Sequence, residues 1–329
     1  MDTFKSFESQ IYSVNASTFE DIALRLFRFQ SENNPVYKSY LRNLGLQTDK
    51  IHSLSSIPYL PISFFKHHTI KSGTWEPETI YTSSGTTGAA TSSHHVKDVQ
   101  FYLRHSVKCF EHFFGKISDY HFLALLPSYL ERSNSSLVAM IDHFIRESRS
   151  PYSGFYLNNI ETLLTDLEKL KNDPRKTILW GVTFALLDLA ENNKPDLSHC
   201  LVFETGGMKG RRNEITRKEL HAILQNGLNI KTVYSEYGMT ELLSQSYMVD
   251  DERFSCPPWM RIIGRDLSDP FEKGLQNETA GINVIDLANL HSVAFIETED
   301  LGKSFADGTF EILGRMDNSD IRGCNLLVG

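Results

Sequence analysis

From residue 80 onward, short apolar runs alternate with segments whose apolar residues recur at helical spacing. The apolar runs lie at 121–126, 176–181, 200–207, 231–238 and 292–297. The helical patterns cover 98–114, 135–148, 160–172, 183–192 and 212–226. Strands separated by helices are typical of βαβ units, so the pattern predicts an α/β fold with a mainly parallel sheet flanked by helices. Ligands of such sheets bind at the carboxyl ends of the strands.

The first part of the chain has a different pattern. In FEDIALRLFRFQ the apolar residues recur at helical spacing, and Ser17 and Thr18 are candidate N-caps. A second helix is predicted over 35–46, and the two prolines of SIPYLPISFF predict an extended crossing after it. We expect a helical N-terminal segment, 1–75, packed on a main domain, 76–329.

Beyond residue 250, glycine and proline become frequent. The segment ADGTFEIL predicts a β-hairpin that turns at Asp307-Gly308.

Composition limits the classes of function. Of 329 residues, 33 are Lys or Arg and 41 are Asp or Glu, which gives a net charge of −8. That acidic balance argues against nucleic acid or anionic lipid as the main partner. No apolar run reaches ~18 residues, so no membrane span is expected. The N-terminus lacks a secretory leader, and the four cysteines form no CxxC pair, so we expect a cytoplasmic protein with reduced thiols.

The stretch YTSSGTTG, 81–88, surrounds two glycines with hydroxyl side chains. Glycines let backbone N–H groups turn toward a ligand and hydroxyls add donors, which suits phosphate oxygens. The stretch is not a Walker A loop, because no Gly-Lys-Ser/Thr follows. An ordinary flexible loop is the alternative.

The stretch ETGGMKGR, 204–211, follows a predicted strand. Its paired glycines allow close approach of a flat ligand or a phosphate, and Lys209, Arg211 and Arg212 add positive charge nearby. A tight turn into a solvated basic helix start is the alternative.

The stretch YSEYGMTE, 234–241, also follows a predicted strand. Tyr237 can stack on a base, Thr240 can bond a phosphate, and Glu241 offers an oxygen ligand for Mg²⁺. The alternative is a helix start, where Thr and Glu are favoured anyway. Further on, Asp300 and Arg315 are candidates for holding a ribose, with a turn acid and a surface ion pair as the alternative.

The order of these motifs resembles that of the superfamily of acyl-adenylate-forming enzymes. The motifs are SSGTTG, GG, YGMTE, an acid before LG, and GRMD. The stretches SSHHVKD, PSYLERSNSSL, ETGGMKGRRNE and RGCN are similar to the acyl-protein synthetase (LuxE) family within it. The likeness extends from about residue 55 to the C-terminus. It implies the fold of the adenylate-forming N-terminal domain, mainly parallel sheets flanked by helices.

The resemblance implies roles for the matching positions. The phosphate loop would be Ser83, Ser84, Gly85, Thr86, Thr87 and Gly88. The adenine pocket would involve Gly206, Gly207, Tyr237 and Gly238. Thr240 would contact the α-phosphate, Glu241 would hold Mg²⁺, and Asp300 and Arg315 would hold the ribose. His94 or His95 could contact substrate or phosphate, with a histidine pair at a helix start as the alternative. Ser128, Glu131 and Ser135 would border the acyl pocket.

Two departures from the larger enzymes matter. Gly88 is followed by Ala89 where those enzymes usually carry a lysine. The sequence continues for only twelve residues after Asp317, the hinge position, so we expect the protein to work without the C-terminal lid and its catalytic lysine. Lys209, Arg211 and Arg212 are candidates for the missing positive charge. Cys324 matches the cysteine that receives the acyl group in the acyl-protein synthetases, although a free Cys is most often a small buried hydrophobe.

The resemblance therefore implies ATP- and Mg²⁺-dependent activation of a carboxylic acid, with a fatty acid expected. Transfer to a thiol would follow, with Cys324 as one acceptor. A reductase or thioesterase partner is a further expectation. Two alternatives stay open: an acyl-CoA or acyl-carrier ligase, and a catalytically silent nucleotide-binding scaffold.

Overall fold

The computed structural model describes residues 3–83, 91–127, 134–206, 215–250 and 253–316. Its helices are α1 (Thr3–Ile11), α2 (Phe19–Asn33), α3 (Pro35–Asn43), α4 (Phe64–His67), α5 (Val99–Phe114), α6 (Ser136–Ser148), α7 (Ile160–Leu170), α8 (Thr183–Asn192) and α9 (Arg217–Leu228). Its strands are β1 (Leu60–Pro61), β2 (Thr79–Thr82), β3 (Ser93–Val96), β4 (Tyr120–Leu125), β5 (Gly154–Phe155), β6 (Lys176–Val182), β7 (Cys200–Thr205), β8 (Val233–Tyr237), β9 (Ser246–Met248), β10 (Phe254–Ser255), β11 (Met260–Arg265), β12 (Ala280–Asp286), β13 (Phe295–Ser304) and β14 (Phe310–Arg315).

The first half of the large sheet is parallel, as the alternating pattern predicts. Strands β5, β4, β6, β7 and β8 lie side by side in that order, each parallel to its neighbour. Every residue of β4 is buried, and so is all of β6 after its first residue, because helices cover both faces of a parallel sheet. The helices α5 to α8 match the predicted helical segments to within two residues at each end, whereas α9 begins five residues after the predicted start at 212.

The second half of the sheet is antiparallel. It continues from β8 through β9, β10, β14, β13 and β12 to β11. The hairpin between β13 and β14 turns at Asp307-Gly308 as predicted, and Gly308 has φ +85°, a left-handed conformation that glycine adopts without strain. The prediction of a mainly parallel sheet therefore holds for β4 to β8, and the sheet as a whole is mixed.

The helices of the N-terminal segment pack on the sheet rather than standing apart. The amides of Gln30 and Asn34, both in or next to α2 and fully buried, bond to the backbone of 289–294. The predicted extended crossing is β1, which pairs in parallel with β13. Thr18 stands at the N-cap of α2 without a capping side-chain bond, because its Oγ1 accepts from the Asn15 N–H at 3.0 Å instead. The division at residue 75 stays a prediction.

No helix within the described ranges is long and apolar enough to cross a membrane. Cys109, Cys200 and Cys256 are free thiols. Cys324 lies outside the described residues.

Candidate functional site

The glycine-rich stretch lies between two antiparallel strands, β2 and β3, in a small sheet of their own. Ser83 and Ser92 close its base: the Ser83 N–H donates to the Ser92 carbonyl at 3.1 Å, and the Ser92 N–H donates to Ser83 Oγ at 3.0 Å. The Thr82 N–H donates to the carbonyl of Asn134 at 2.9 Å. Ser84 to Gly88 lie outside the described residues, so their phosphate role stays a prediction.

Tyr237 ends β8 at the carboxyl edge of the parallel strands. Its ring is buried against Phe254 and Phe310, and its hydroxyl donates to Asp300 Oδ2 at 2.8 Å. Burial, and then the neighbouring Asp300 carboxylate, raise the pKa of Tyr237 well above its usual value. The phenol is therefore a hydrogen-bond donor at any physiological pH. Its predicted stacking on a base stays a prediction.

Asp300 and Arg315 face each other across β13 and β14 as a register pair. Arg315 Nε lies 3.4 Å from Asp300 Oδ1, the carboxylate is nearly buried, and the guanidinium side chain is 75 % exposed. Burial raises the pKa of Asp300, while Arg315 and the Tyr237 hydroxyl oppose that shift. Tyr237, Asp300 and Arg315 thus lie together, although they are far apart in the sequence. All three are predicted to contact the nucleotide.

Glu241 lies beside the base of the glycine-rich stretch. Its carboxylate is 5 % exposed, and burial raises its pKa against the hydrogen bond from Ser92 and the charge of Arg315. The carbonyl of Thr240 accepts from His94 Nδ1 at 2.8 Å. Glu241 is therefore a buried carboxylate that bonds Ser92 and whose pKa is affected by the charges of Asp300 and Arg315.

A buried brace, formed by Asp286, Asn289 and Gln30, holds the backbone around Glu241. Asn289 Nδ2 donates to the Glu241 carbonyl at 2.8 Å, and Asn289 Oδ1 and Asp286 Oδ2 both accept from the Leu243 N–H at 3.0 Å. Gln30 Nε2 in turn donates to the Asn289 carbonyl at 2.9 Å. Motif reasoning missed this brace. The polar residues inside the otherwise apolar stretch INVIDLANL were its one visible signal.

The two histidines of β3 differ in environment. His94 is buried, and burial lowers its pKa to about 4, so the ring is neutral near pH 7. Because the Thr240 carbonyl can only accept, Nδ1 carries the proton and Nε2 accepts from Ser292 Oγ at 3.0 Å. His95 is half-buried, and its Nδ1 has no hydrogen-bond partner in the described part of the chain. Its predicted contact with substrate stays a prediction.

The paired-glycine stretch begins at the end of β7. Gly206 has φ +74°, and its carbonyl accepts from Thr183 Oγ1 at 2.9 Å. Gly207 and Lys209 lie outside the described residues, as do Ser128, Glu131, Asp317 and Cys324. The roles predicted for those residues stay predictions.

A carboxyl group that motif reasoning missed lies between β7 and β8. Glu236 Oε2 accepts from Thr205 Oγ1 at 2.7 Å, and burial raises the pKa of Glu236 to about 7, with a further increase from Glu204. A Cβ at Gly238 would overlap this carboxyl group, so the glycine gives it room. Its only sequence signal is a charged residue inside a strand pattern.

The described residues offer few ligands for a divalent cation. Within the described ranges, no three or more His, Cys, Asp or Glu side chains form a group that could hold a metal. Mg²⁺ usually binds proteins through one or two carboxylates together with substrate phosphates. The single carboxylate of Glu241 therefore fits a magnesium ion that is bound jointly with a nucleotide.

No protein-family profile matches the chain. The chain is 25 % identical over 337 residues to the long-chain-fatty-acid–luciferin-component ligase of Aliivibrio fischeri, covering 91 % of this chain and 85 % of that protein. A crystal structure of 2-hydroxyisobutyryl-CoA ligase with 2-HIB-AMP and CoA matches 92 % of this chain with a TM-score of 0.67 and 13 % identity. This chain has the fold of acyl-adenylate-forming ligases. The resemblance seen in the motifs is thereby confirmed.

A second group of ligases matches a smaller part. ATP-bound MatB from Rhodopseudomonas palustris covers 72 % of this chain, with a TM-score of 0.53 and 18 % identity. This chain spans 47 % of the length of MatB and 69 % of the length of 2-hydroxyisobutyryl-CoA ligase.

Proposed function

We propose that the protein activates a carboxylic acid with ATP as an acyl-adenylate and then transfers the acyl group to a thiol. The observation that carries the proposal is the meeting of Tyr237, Asp300 and Arg315 at the edge of the sheet, with Glu241 beside the glycine-rich stretch. The name of the Aliivibrio fischeri relative supports a long-chain fatty acid as the substrate class.

In the first step, a carboxylate oxygen of the acid attacks the α-phosphorus of ATP. The new P–O bond forms as the bond to the bridging oxygen breaks, and pyrophosphate leaves with the electron pair. Asp300 is oriented to accept hydrogen bonds from ribose hydroxyls, because Tyr237 and Arg315 fix its two oxygens. Glu241 would hold Mg²⁺, which neutralises charge on the phosphates when bound. Alignment and charge neutralisation are the main contributions of the protein.

In the second step, a thiolate attacks the carbonyl carbon of the mixed anhydride, and AMP leaves. Cys109, Cys200 and Cys256 are poor nucleophiles for this step, since burial raises the pKa of each thiol to about 12. The acceptor is therefore Cys324 or an external thiol such as CoA or a carrier. A thioester product suits a reductase or thioesterase partner.

Carboxylate-dependent exchange of labelled pyrophosphate into ATP tests the first step. The panel of acids extends from acetate to long-chain and aromatic acids. We expect exchange with at least one long-chain acid, its loss in Glu241→Ala, and its retention in Cys324→Ser. ATP binding without exchange for any acid would instead favour the scaffold alternative.

Labelled fatty acid tests the second step. If Cys324 is the acceptor, ATP produces a protein-bound label that hydroxylamine releases and that Cys324→Ser lacks. If CoA is the acceptor, Cys324→Ser forms acyl-CoA at the rate of the unmodified chain.

A further inference from the structure

We infer that His105 and Ser244 are positioning residues for Glu241. Together with Tyr12 they form a hydrogen-bond relay that begins just after α1 and ends at Asp286. Tyr12 Oη lies 3.2 Å from His105 Nδ1, and His105 Nε2 lies 2.9 Å from Ser244 Oγ. Ser244 Oγ in turn lies 2.6 Å from Asp286 Oδ1. The inference rests on the proposed role of Glu241 as a ligand of Mg²⁺.

The inner end of the relay holds the backbone that carries Glu241. Asp286 Oδ2 accepts from the N–H groups of Leu243 and Ser244 at 3.0 and 2.9 Å. Its Oδ1 accepts from the Ala288 N–H at 3.0 Å. Burial raises the pKa of Asp286, and these hydrogen bonds oppose that shift. Three N–H donors favour the charged carboxylate, which can only accept, so the Ser244 hydroxyl donates to it.

The donors and acceptors of the relay are all satisfied in one direction. Since the Ser244 proton goes to Asp286, His105 Nε2 carries a proton and donates to Ser244 Oγ. Burial lowers the pKa of His105 to about 3, so the ring is neutral near pH 7 and has a single N–H. Its Nδ1 is therefore an acceptor, and the Tyr12 hydroxyl donates to it. Tyr12 thus fixes the tautomer of His105.

Aromatic side chains enclose the relay. The ring of Phe101 stacks on His105 with centroids 5.6 Å apart, and the ring of Trp259 lies 5.2 Å from His105 and 5.4 Å from Tyr12. His105 is fully buried, so water does not replace a partner that it loses. Without His105 the Ser244 hydroxyl is free to rotate away from Asp286. The segment that carries Glu241 then loses one of the bonds that fix it.

Calorimetric titration of the full chain with ATP, with and without Mg²⁺, tests the inference without requiring catalysis. His105→Leu and Ser244→Ala should each weaken Mg²⁺-dependent ATP binding about tenfold, and should leave ATP binding without Mg²⁺ unchanged. The double variant should bind like either single variant, because both changes break the same relay. His105→Gln should bind like the unmodified chain, because its amide can donate to Ser244. His52→Leu, at an exposed histidine, is the matched control.

Heteronuclear NMR of the histidine side chains tests the relay without ATP. We expect the His105 proton on Nε2. Tyr12→Phe should shift the Nδ1 resonance and leave the proton in place, and Tyr12 is 46 % exposed, so the loss of its hydroxyl leaves the fold intact.

A proton on His105 Nδ1 would overturn the direction of the relay. Undiminished Mg²⁺-dependent ATP binding in His105→Leu, or an equal loss in His105→Gln, would overturn the positioning role while the proposed function stands. If the unmodified chain shows no Mg²⁺-dependent ATP binding, the proposed function and the positioning role fail together, whereas the NMR result still decides the relay.

Discussion

At this site, burial affects the pKa values of single side chains more than charge pairing does. Burial raises the pKa of Glu236, Glu241 and Asp300. Each carboxyl group is nevertheless held by a hydroxyl: Thr205 bonds Glu236, Ser92 bonds Glu241, and Tyr237 bonds Asp300. Hydroxyl donors thus orient each carboxyl group, and Asp300 also pairs with Arg315.

Glu236 predicts how stability depends on pH. Its pKa is about 7 in the folded chain against a usual 4.5, so folding favours the protonated form. The resulting stability is fully present below about pH 4.5 and is lost as pH rises through 7. Glu236→Gln removes this dependence while keeping an acceptor for Thr205. Urea unfolding should find the variant more stable than the unmodified chain at pH 8, by at most about 3 kcal/mol, and nearly equal to it at pH 4.5. A difference that does not change with pH would contradict the assignment.

The Asp300 carboxylate predicts an effect on nucleotide affinity. Asp300→Asn keeps the shape but replaces one acceptor oxygen with a donor, so it should raise the KM for ATP in pyrophosphate exchange about tenfold. Tyr237→Phe leaves the carboxylate but removes its orienting bond, and should raise the KM by a smaller factor. Asp307→Asn, on the exposed hairpin turn, is the matched control. An unchanged KM in Asp300→Asn would exclude ribose contact.

At the scale of elements, the carboxyl ends of the parallel strands could be predicted because each strand is a continuous apolar run between turn signals. The helix over 183–192 has the bounds that the pattern predicts. The antiparallel strands could not be placed in this way. β9 and β10 have only three and two residues, too few for a period to emerge, and their pairing depends on partners far along the chain.

The brace formed by Asp286, Asn289 and Gln30 predicts a positioning effect. Asn289→Ala removes the donor to the Glu241 carbonyl and one acceptor of the Leu243 N–H. We expect a destabilisation of about 2 kcal/mol and a fall in the kcat of exchange, together with a greater requirement for Mg²⁺. Asn33→Ala, at an exposed asparagine of α2, should change none of these. If added Mg²⁺ does not restore the kcat of Asn289→Ala, the brace contributes to stability alone.

At the scale of the whole molecule, the N-terminal helices are part of the site's support. Gln30 joins three backbone groups of 289–294, at the carbonyls of Asn289 and Leu290 and the N–H of Ala294. Helical spacing predicts α2 but does not reveal this role, because a buried glutamine has the same sequence signature as an exposed one. Residue chemistry proposes a shared ribose for Asp300 and Arg315, but only the family resemblance places both with Tyr237 at one nucleotide. Distances along the chain carry no contact information.

Gln30→Leu tests that support. Three backbone groups would lose their partner inside the protein, so urea unfolding should show a loss of roughly 3 kcal/mol. Gln100→Leu makes the same change at an exposed position of α5 and should leave stability within about 0.5 kcal/mol. Equal stability of the two variants would mean that the loop over 289–294 does not need α2.

The turn between β13 and β14 divides Asp300 from Arg315 along the chain, although the two side chains lie together. A backbone cut at the exposed Asp307-Gly308 peptide would therefore leave the acid and the base on different polypeptides. Reassociation of the pieces through their strand edges would rebuild the pair. The hairpin is thus a suitable place to divide the protein for a sensor in which bound nucleotide holds two separate fragments together.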